Sequence, residues 1–219
     1  MAYQFLTCTV EASLATVTLN RPDKRNALST ALREELVRCL EALAAEEEVK
    51  VVILTGAGTT FCAGFDLSEL ATGDRKAIFA QAQAYHHRVY TFPKPLLAAV
   101  NGAALAGGMD LAIMCDLRIA AETAVFGQPQ VRMGIPAAYE LLRTVLPETV
   151  VRELCLTGRR LDAQEALRLG LVNRVVSAAR LLEETCALAQ EVATSGASLA
   201  MKARFLQRQP SLFTLGVQA

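Results

Sequence analysis

Two short segments of the chain repeat one arrangement of apolar residues, glycines and an aspartate. The first runs Val51-Val52-Ile53-Leu54-Thr55-Gly56 and, after a loop, Ala63-Gly64-Phe65-Asp66-Leu67. The second runs Leu97-Ala98-Ala99-Val100-Asn101-Gly102, then Gly107-Gly108-Met109-Asp110-Leu111. Each reads as an apolar strand, a glycine turn and a Gly-x-Asp-Leu helix start. Glycine permits a tight turn and close approach of a ligand to the main chain. A helix start offers unpaired N–H groups and a partial positive charge. Two such ends aimed at one point would hold a developing oxyanion. The segments are equally compatible with ordinary strand–turn–helix joints, because glycine motifs this short are individually weak.

Other reactive side chains are sparse. His86 and His87 are the only histidines and have no cysteine near them, which argues against a zinc site; they read as structural residues of one helix. Cys62 adjoins the first glycine turn but has no base assigned to it, so it reads as a packed thiol. The six cysteines are scattered without a C-x-x-C pair, the pattern of reduced thiols in a cytoplasmic setting.

The elements that must position the glycine turns follow from periodicity. Ala15, Val17 and Leu19 alternate as in a strand. Ser29 is placed to cap a helix carrying Leu32, Leu36, Leu40 and Leu43. Val49 to Leu54 and Leu96 to Val100 read as buried strands, with a helix from about Arg75 to Tyr90 between them. Further strands are expected at Asp116 to Ala120 and Leu171 to Val176, and helices at Thr149 to Leu156, Asp162 to Leu169 and Leu181 to Ala193. Alternating strands and helices without a low-complexity linker predict one α/β domain over residues 1–219.

The composition narrows the function classes. Apolar residues make up 53% of the 219 residues, enough for a large core. Lys+Arg 22 balances Asp+Glu 22, so no global field recruits nucleic acid or an anionic membrane. No uncharged stretch is longer than Pro95 to Met109, which is too short to span a bilayer, and Met1 to Ser13 lacks the pattern of a signal peptide.

Taken together, the motifs resemble the enoyl-CoA hydratase/isomerase, or crotonase, family. The resemblance rests on Leu19-Asn20-Arg21-Pro22 with Asn26-Ala27-Leu28, Phe61 through Leu67, Pro93-Lys94-Pro95, Ala99-Val100-Asn101-Gly102 and Gly107-Gly108. It continues through Cys115 to Ala120, Phe126-Gly127-Gln128-Pro129, Met133-Gly134-Ile135-Pro136, and Leu156-Thr157-Gly158 on to Gly170-Leu171-Val172. It implies a spiral of ββα units, with a core over about residues 1–175 and a short helical part over about 176–219. It also implies an acyl-CoA thioester as substrate, with no other cofactor, and assembly as a homotrimer or hexamer. After Met201-Lys202-Ala203-Arg204, family members continue with two further helices that roof the pocket, whereas here only Phe205 to Ala219 follow.

Carried onto this sequence, the family pattern makes the backbone N–H groups of Phe65 and Gly107 the donors to the thioester oxygen, supported by Ala63, Gly64 and Gly108. It places the CoA adenine and phosphates against Arg25-Asn26-Ala27-Leu28 and the Asp66-Leu67 region, with Lys24 and Arg25 as candidate phosphate contacts, or else solvated loop charges. Family hydratases use two glutamates; their positions here hold Asp110, which can orient or deprotonate water, and Gln130, which can donate a hydrogen bond but no proton at neutral pH. Glu140, in Pro136-Ala137-Ala138-Tyr139-Glu140, is a candidate substitute acid, or else a surface glutamate of the helix through Leu141, Leu142 and Val145. Tyr139 and Pro136 are candidate pocket residues. The expected activity is hydration of a 2-enoyl-CoA. The alternatives are double-bond isomerisation, decarboxylation, or acyl-CoA binding without turnover.

Overall fold

The computed structural model describes residues 3–213. Its organising unit is a pair of strands followed by helix. Strand β1 (Leu6–Glu11) pairs antiparallel with β2 (Leu14–Leu19), and helix α1 (Thr30–Ala45) follows. The next unit comprises β3 (Val51–Gly56), β4 (Thr60–Cys62), α2 (Leu67–Thr72) and α3 (Arg75–Tyr90). Then come β5 (Leu96–Val100), β6 (Ala103–Leu105) and α4 (Gly107–Met114), followed by β7 (Leu117–Ala121) and β8 (Val125–Gly127). The remainder is mainly helical: α5 (Tyr139–Leu142), α6 (Glu148–Thr157), α7 (Ala163–Arg168), α8 (Leu181–Thr194) and α9 (Ser198–Arg208), with short strands β9 (Arg160–Asp162) and β10 (Arg174–Val176).

In the three central units the first strand enters a six-stranded sheet, order β1-β2-β3-β5-β7-β10, and the second enters a four-stranded sheet, order β4-β6-β8-β9. The chain therefore winds through both sheets repeatedly, as the expected ββα spiral requires. Within the large sheet β2, β3, β5, β7 and β10 run parallel.

Sequence explains why the central strands are apolar throughout. Side chains alternate across a strand. Val52, Leu54, Leu96, Ala98 and Val100 face the main core with α1, α3 and α4, while Val51, Ile53, Leu97 and Ala99 face the opposite side against Leu181 and Ala189 of α8. Parallel strands covered on both faces read as unbroken apolar runs. Ser29 caps α1 as expected, its hydroxyl accepting from the Leu32 N–H at 3.2 Å. The strand expected over Leu171 to Val176 is confined to its last three residues, because the Leu171 N–H and carbonyl are used by Ala166 and the Arg118 side chain. No helix among the described residues is long and apolar enough to cross a membrane.

Candidate functional site

The two glycine turns meet. Gly64 has φ +92°, and a β-carbon there would stand 2.9 Å from the Ala106 β-carbon and 3.2 Å from the Gly107 nitrogen. On Gly108, a β-carbon would lie 2.0 Å from the Cys62 carbonyl oxygen. Only glycines let α4 begin this close to β4 and the Phe65 turn. Ala106, immediately before α4, has φ 50° and ψ −124°, a conformation that strains an L-residue and that proteins tend to retain at functional sites.

Both candidate donors are available at this junction. Leu28 forms a parallel bridge with Phe65, made by the Leu28 N–H to the Gly64 carbonyl at 2.8 Å and the Asp66 N–H to the Leu28 carbonyl at 3.4 Å. That pattern uses the neighbours of Phe65 and leaves its own N–H turned away from Leu28. Gly107 is the first residue of α4, where a backbone N–H has no partner within the helix.

Beside the donors lies a cavity of about 340 Å³. Phe65, Ala106, Gly107 and Asp110 line it from the two turns; Leu67 and Leu70 from α2; Phe79, Ala82, Gln83 and His86 from α3. The loop through Pro129, Gln130, Met133, Ile135, Pro136, Ala137 and Ala138 completes the wall. An apolar extension between α2, Phe79, Met133 and Ile135 continues from it.

Asp110 is the sole carboxylate among the described lining residues, and it is buried. One turn into α4 its side chain faces inward, where the Gln128 side-chain amide donates to Oδ1 at 2.8 Å. The Gln130 amide in turn donates to the Gln128 side-chain carbonyl. Burial pushes the Asp110 carboxyl up to about 7, against the opposing effect of the Gln128 hydrogen bond. A carboxyl poised near neutrality can both take and return a proton. Although the two aspartates share a motif, they do different work. Asp66 lies just before α2 and caps it through the Ser68 N–H, and its carboxylate also takes a bond from Arg21 at 3.0 Å. Burial raises the Asp66 pKa, but the Ser68 contacts and the Arg21 guanidinium more than offset this and leave it below the ordinary value.

Glu140 is not brought to the cavity. Its carboxylate is exposed and pairs with Arg143 at 3.2 Å, as a residue in the first turn of α5. Tyr139 also turns away, its hydroxyl donating to Glu148 at 2.5 Å, while Pro136 and Gln130 do line the cavity. Lys24 and Arg25 are exposed on the loop before α1, beside buried Ala27 and Leu28. Arg25 and Asn26 have φ 52° and 53°. The Asn26 side chain holds this bend by accepting from the Arg21 N–H and donating to the Ala57 and Thr60 carbonyls.

The remaining reactive groups are packed. Burial pushes the Cys62 thiol up to about 12, so it is not a thiolate. His86 stands edge-on to Phe65 with ring centroids 6.1 Å apart, and burial together with the Arg33 charge pushes its imidazole down to about 4. His87 Nδ1 lies 2.6 Å from the Phe213 carbonyl. Sequence reasoning missed Gln128 as the partner of Asp110, although it sits in the quoted Phe-Gly-Gln-Pro block. It also missed Arg33, which is fully buried; the available signal was an arginine beside Leu32 and three residues before Leu36 on the apolar face of α1.

The family model for enoyl-CoA hydratase/isomerase matches residues 9–213. A Thermus thermophilus homologue named enoyl-CoA hydratase is 43% identical over 188 residues, covering 82% of this chain and 74% of the relative. A short-chain-enoyl-CoA hydratase of Clostridium acetobutylicum is 37% identical over 199 residues, covering 88% of this chain and 76% of the relative. The crystal structure of an enoyl-CoA hydratase from Bacillus anthracis superposes with a TM-score of 0.88 at 36% identity, covering 91% of this chain and 81% of that one. The chain belongs to the enoyl-CoA hydratase/isomerase (crotonase) family.

Proposed function

We propose that the protein hydrates a 2-enoyl-CoA, with Asp110 as its one acid–base group. The observation that carries this reading is the buried Asp110 carboxyl, with its pKa near 7, on the same cavity wall as Phe65 and Gly107. The Phe65 and Gly107 N–H groups take the thioester oxygen and stabilise the enolate; losing one donor of this kind typically costs about 2.7–4 kcal/mol of barrier. As the water oxygen bonds to the β-carbon, ionised Asp110 takes one water proton and the C=C electrons move onto the thioester oxygen. Protonated Asp110 then returns the proton to the α-carbon and the carbonyl re-forms. Gln130 supplies no proton; it steadies Gln128, which in turn fixes one Asp110 oxygen. Lys24 and Arg25 are suited to the CoA phosphates by charge and exposure.

A single carboxylate equally suits double-bond isomerisation, in which one base carries a proton from one carbon to another. Purified protein incubated with crotonyl-CoA and longer 2-enoyl-CoAs is expected to yield 3-hydroxyacyl-CoA. Conversion of 3-enoyl-CoA alone would favour isomerisation, and CO2 release from a malonyl-type CoA would favour decarboxylation. Binding without turnover across the panel would mark a non-catalytic acyl-CoA protein.

A further inference from the structure

Phe65, whose N–H is one of the two donors, rests its ring on an arginine. The Arg33 guanidinium carbon lies 4.8 Å from the centre of that ring. The same ring touches the second donor residue, since a β-carbon on Gly107 would stand 3.0 Å from its Cδ2 and Cε2. Arg33 is 0% exposed, and its three hydrogen bonds all go to neutral acceptors: Nη1 to the Leu28 carbonyl at 2.6 Å, Nε to Gln81 Oε1 at 2.6 Å, and Nη2 to Thr30 Oγ1 at 3.1 Å. No carboxylate among the described residues forms an ion pair with it. The nearest in the network is Glu69, reached through the Thr30 hydroxyl.

Withdrawing a guanidinium from water without a direct counter-ion is expensive, and stacking on one aromatic face returns only part of that cost. The three bonds tie together the segment that brackets Phe65 (Leu28), helix α3 (through Gln81, outside the cavity) and the start of α1. The position of the charge also matters chemically. A positive charge in a low-dielectric interior attracts negative charge developing near it. Its field already acts on the cavity-lining His86, whose imidazole it helps hold uncharged.

We infer that Arg33 is a positioning residue that sets a full positive charge behind the oxyanion turn and orients the Phe65 N–H through its ring and through Leu28. The inference rests on the donor-pair reading above, and it goes further by giving a buried cation outside the cavity a share in polarising the thioester.

The test reads carbonyl polarisation directly. Bound 4-dimethylaminocinnamoyl-CoA is a push–pull chromophore whose absorbance moves to longer wavelength as its thioester oxygen is drawn toward positive charge. Wild-type protein is expected to give a clear red shift. Arg33→Met should lose at least half of it, with kcat/KM for the enoyl-CoA falling roughly ten-fold or more and KM changing far less than kcat. Arg33→Lys keeps the charge without the planar fork, and should recover most of the red shift. A purely structural Arg33 would instead lower the melting temperature in both variants without separating them by charge. Should Arg33→Met not fold, Arg33→Gln replaces it, since it retains an N–H for the Leu28 carbonyl and drops the charge. A wild-type red shift in either folded neutral variant overturns the inference. Absence of a red shift in wild-type protein that binds the probe overturns the donor-pair reading itself.

Discussion

Above pH 7 the Asp110 carboxylate is a charge kept from water, with one Gln128 amide in compensation. Folding lifts its pKa from 3.8 to about 7. Between those values the folded state retains a proton that the unfolded chain has released, so stability falls as pH rises through this window and levels off above it. The full penalty amounts to roughly 4 kcal/mol at most. Asp110→Asn removes the charge and keeps an oxygen for Gln128. It is therefore expected to melt at a higher temperature than wild type, with a larger gain at pH 8 than at pH 5, while hydration falls at least about 100-fold. Wild-type turnover should decline below about pH 7, where the base becomes protonated. Thermal melts at the two pH values and a pH–rate profile check these outcomes together, and an Asp110→Asn variant with full hydration would sink the one-carboxylate mechanism.

At the scale of elements, the proposed donor pair depends on how closely α4 approaches β4. A β-carbon on Gly108 would lie 2.0 Å from the Cys62 carbonyl oxygen, and a backbone atom cannot rotate aside. Gly108→Ala is expected to push α4 outward and carry the Gly107 N–H with it, destabilising by at least about 1–3 kcal/mol. Turnover should drop more than CoA-ester affinity, which melting curves and a kcat-against-KM comparison would separate. This approach was legible in the glycine spacing, as were β5, an unbroken apolar run, and α3, which ends shortly before Pro93 and Pro95. Strands β4, β6 and β8 were not, since three residues carry no periodicity of their own and exist because the sheet pairs them. The two Gly-x-Asp-Leu segments looked alike in sequence, yet Asp66 became a cap and Asp110 a buried acid. Only the packing around each helix start distinguishes them. Arg33 and Gln128 escaped for the same reason: their meaning lies in partners brought together by the fold.

Across the whole molecule, the C-terminal helix is pinned at one point to the junction between successive units. Lys202 of α9 places Nζ 2.8 and 2.9 Å from the two Asp116 oxygens. Asp116, between α4 and β7, also accepts from the Leu96 N–H at the start of β5 at 2.8 Å. The ammonium side is almost wholly buried, at 4% exposure, and the carboxylate is 22% exposed. Breaking a fully buried pair costs about 3–5 kcal/mol, whereas exposed pairs are worth little. The partly exposed Asp116 side places this pair between those limits. Lys202→Met is thus expected to destabilise by about 1–3 kcal/mol. Adding Asp116→Asn should restore part of the loss, because the uncompensated charge is removed and an oxygen remains for Leu96. Neither residue lines the cavity beside Phe65 and Gly107, so kcat/KM below the melting range should stay within about two-fold. Denaturant titration of both variants beside an activity assay checks the argument. A stability-neutral Lys202→Met would mean that α9 is held by its apolar contacts alone, and a fall in turnover at full stability would mean that the pin reaches the site.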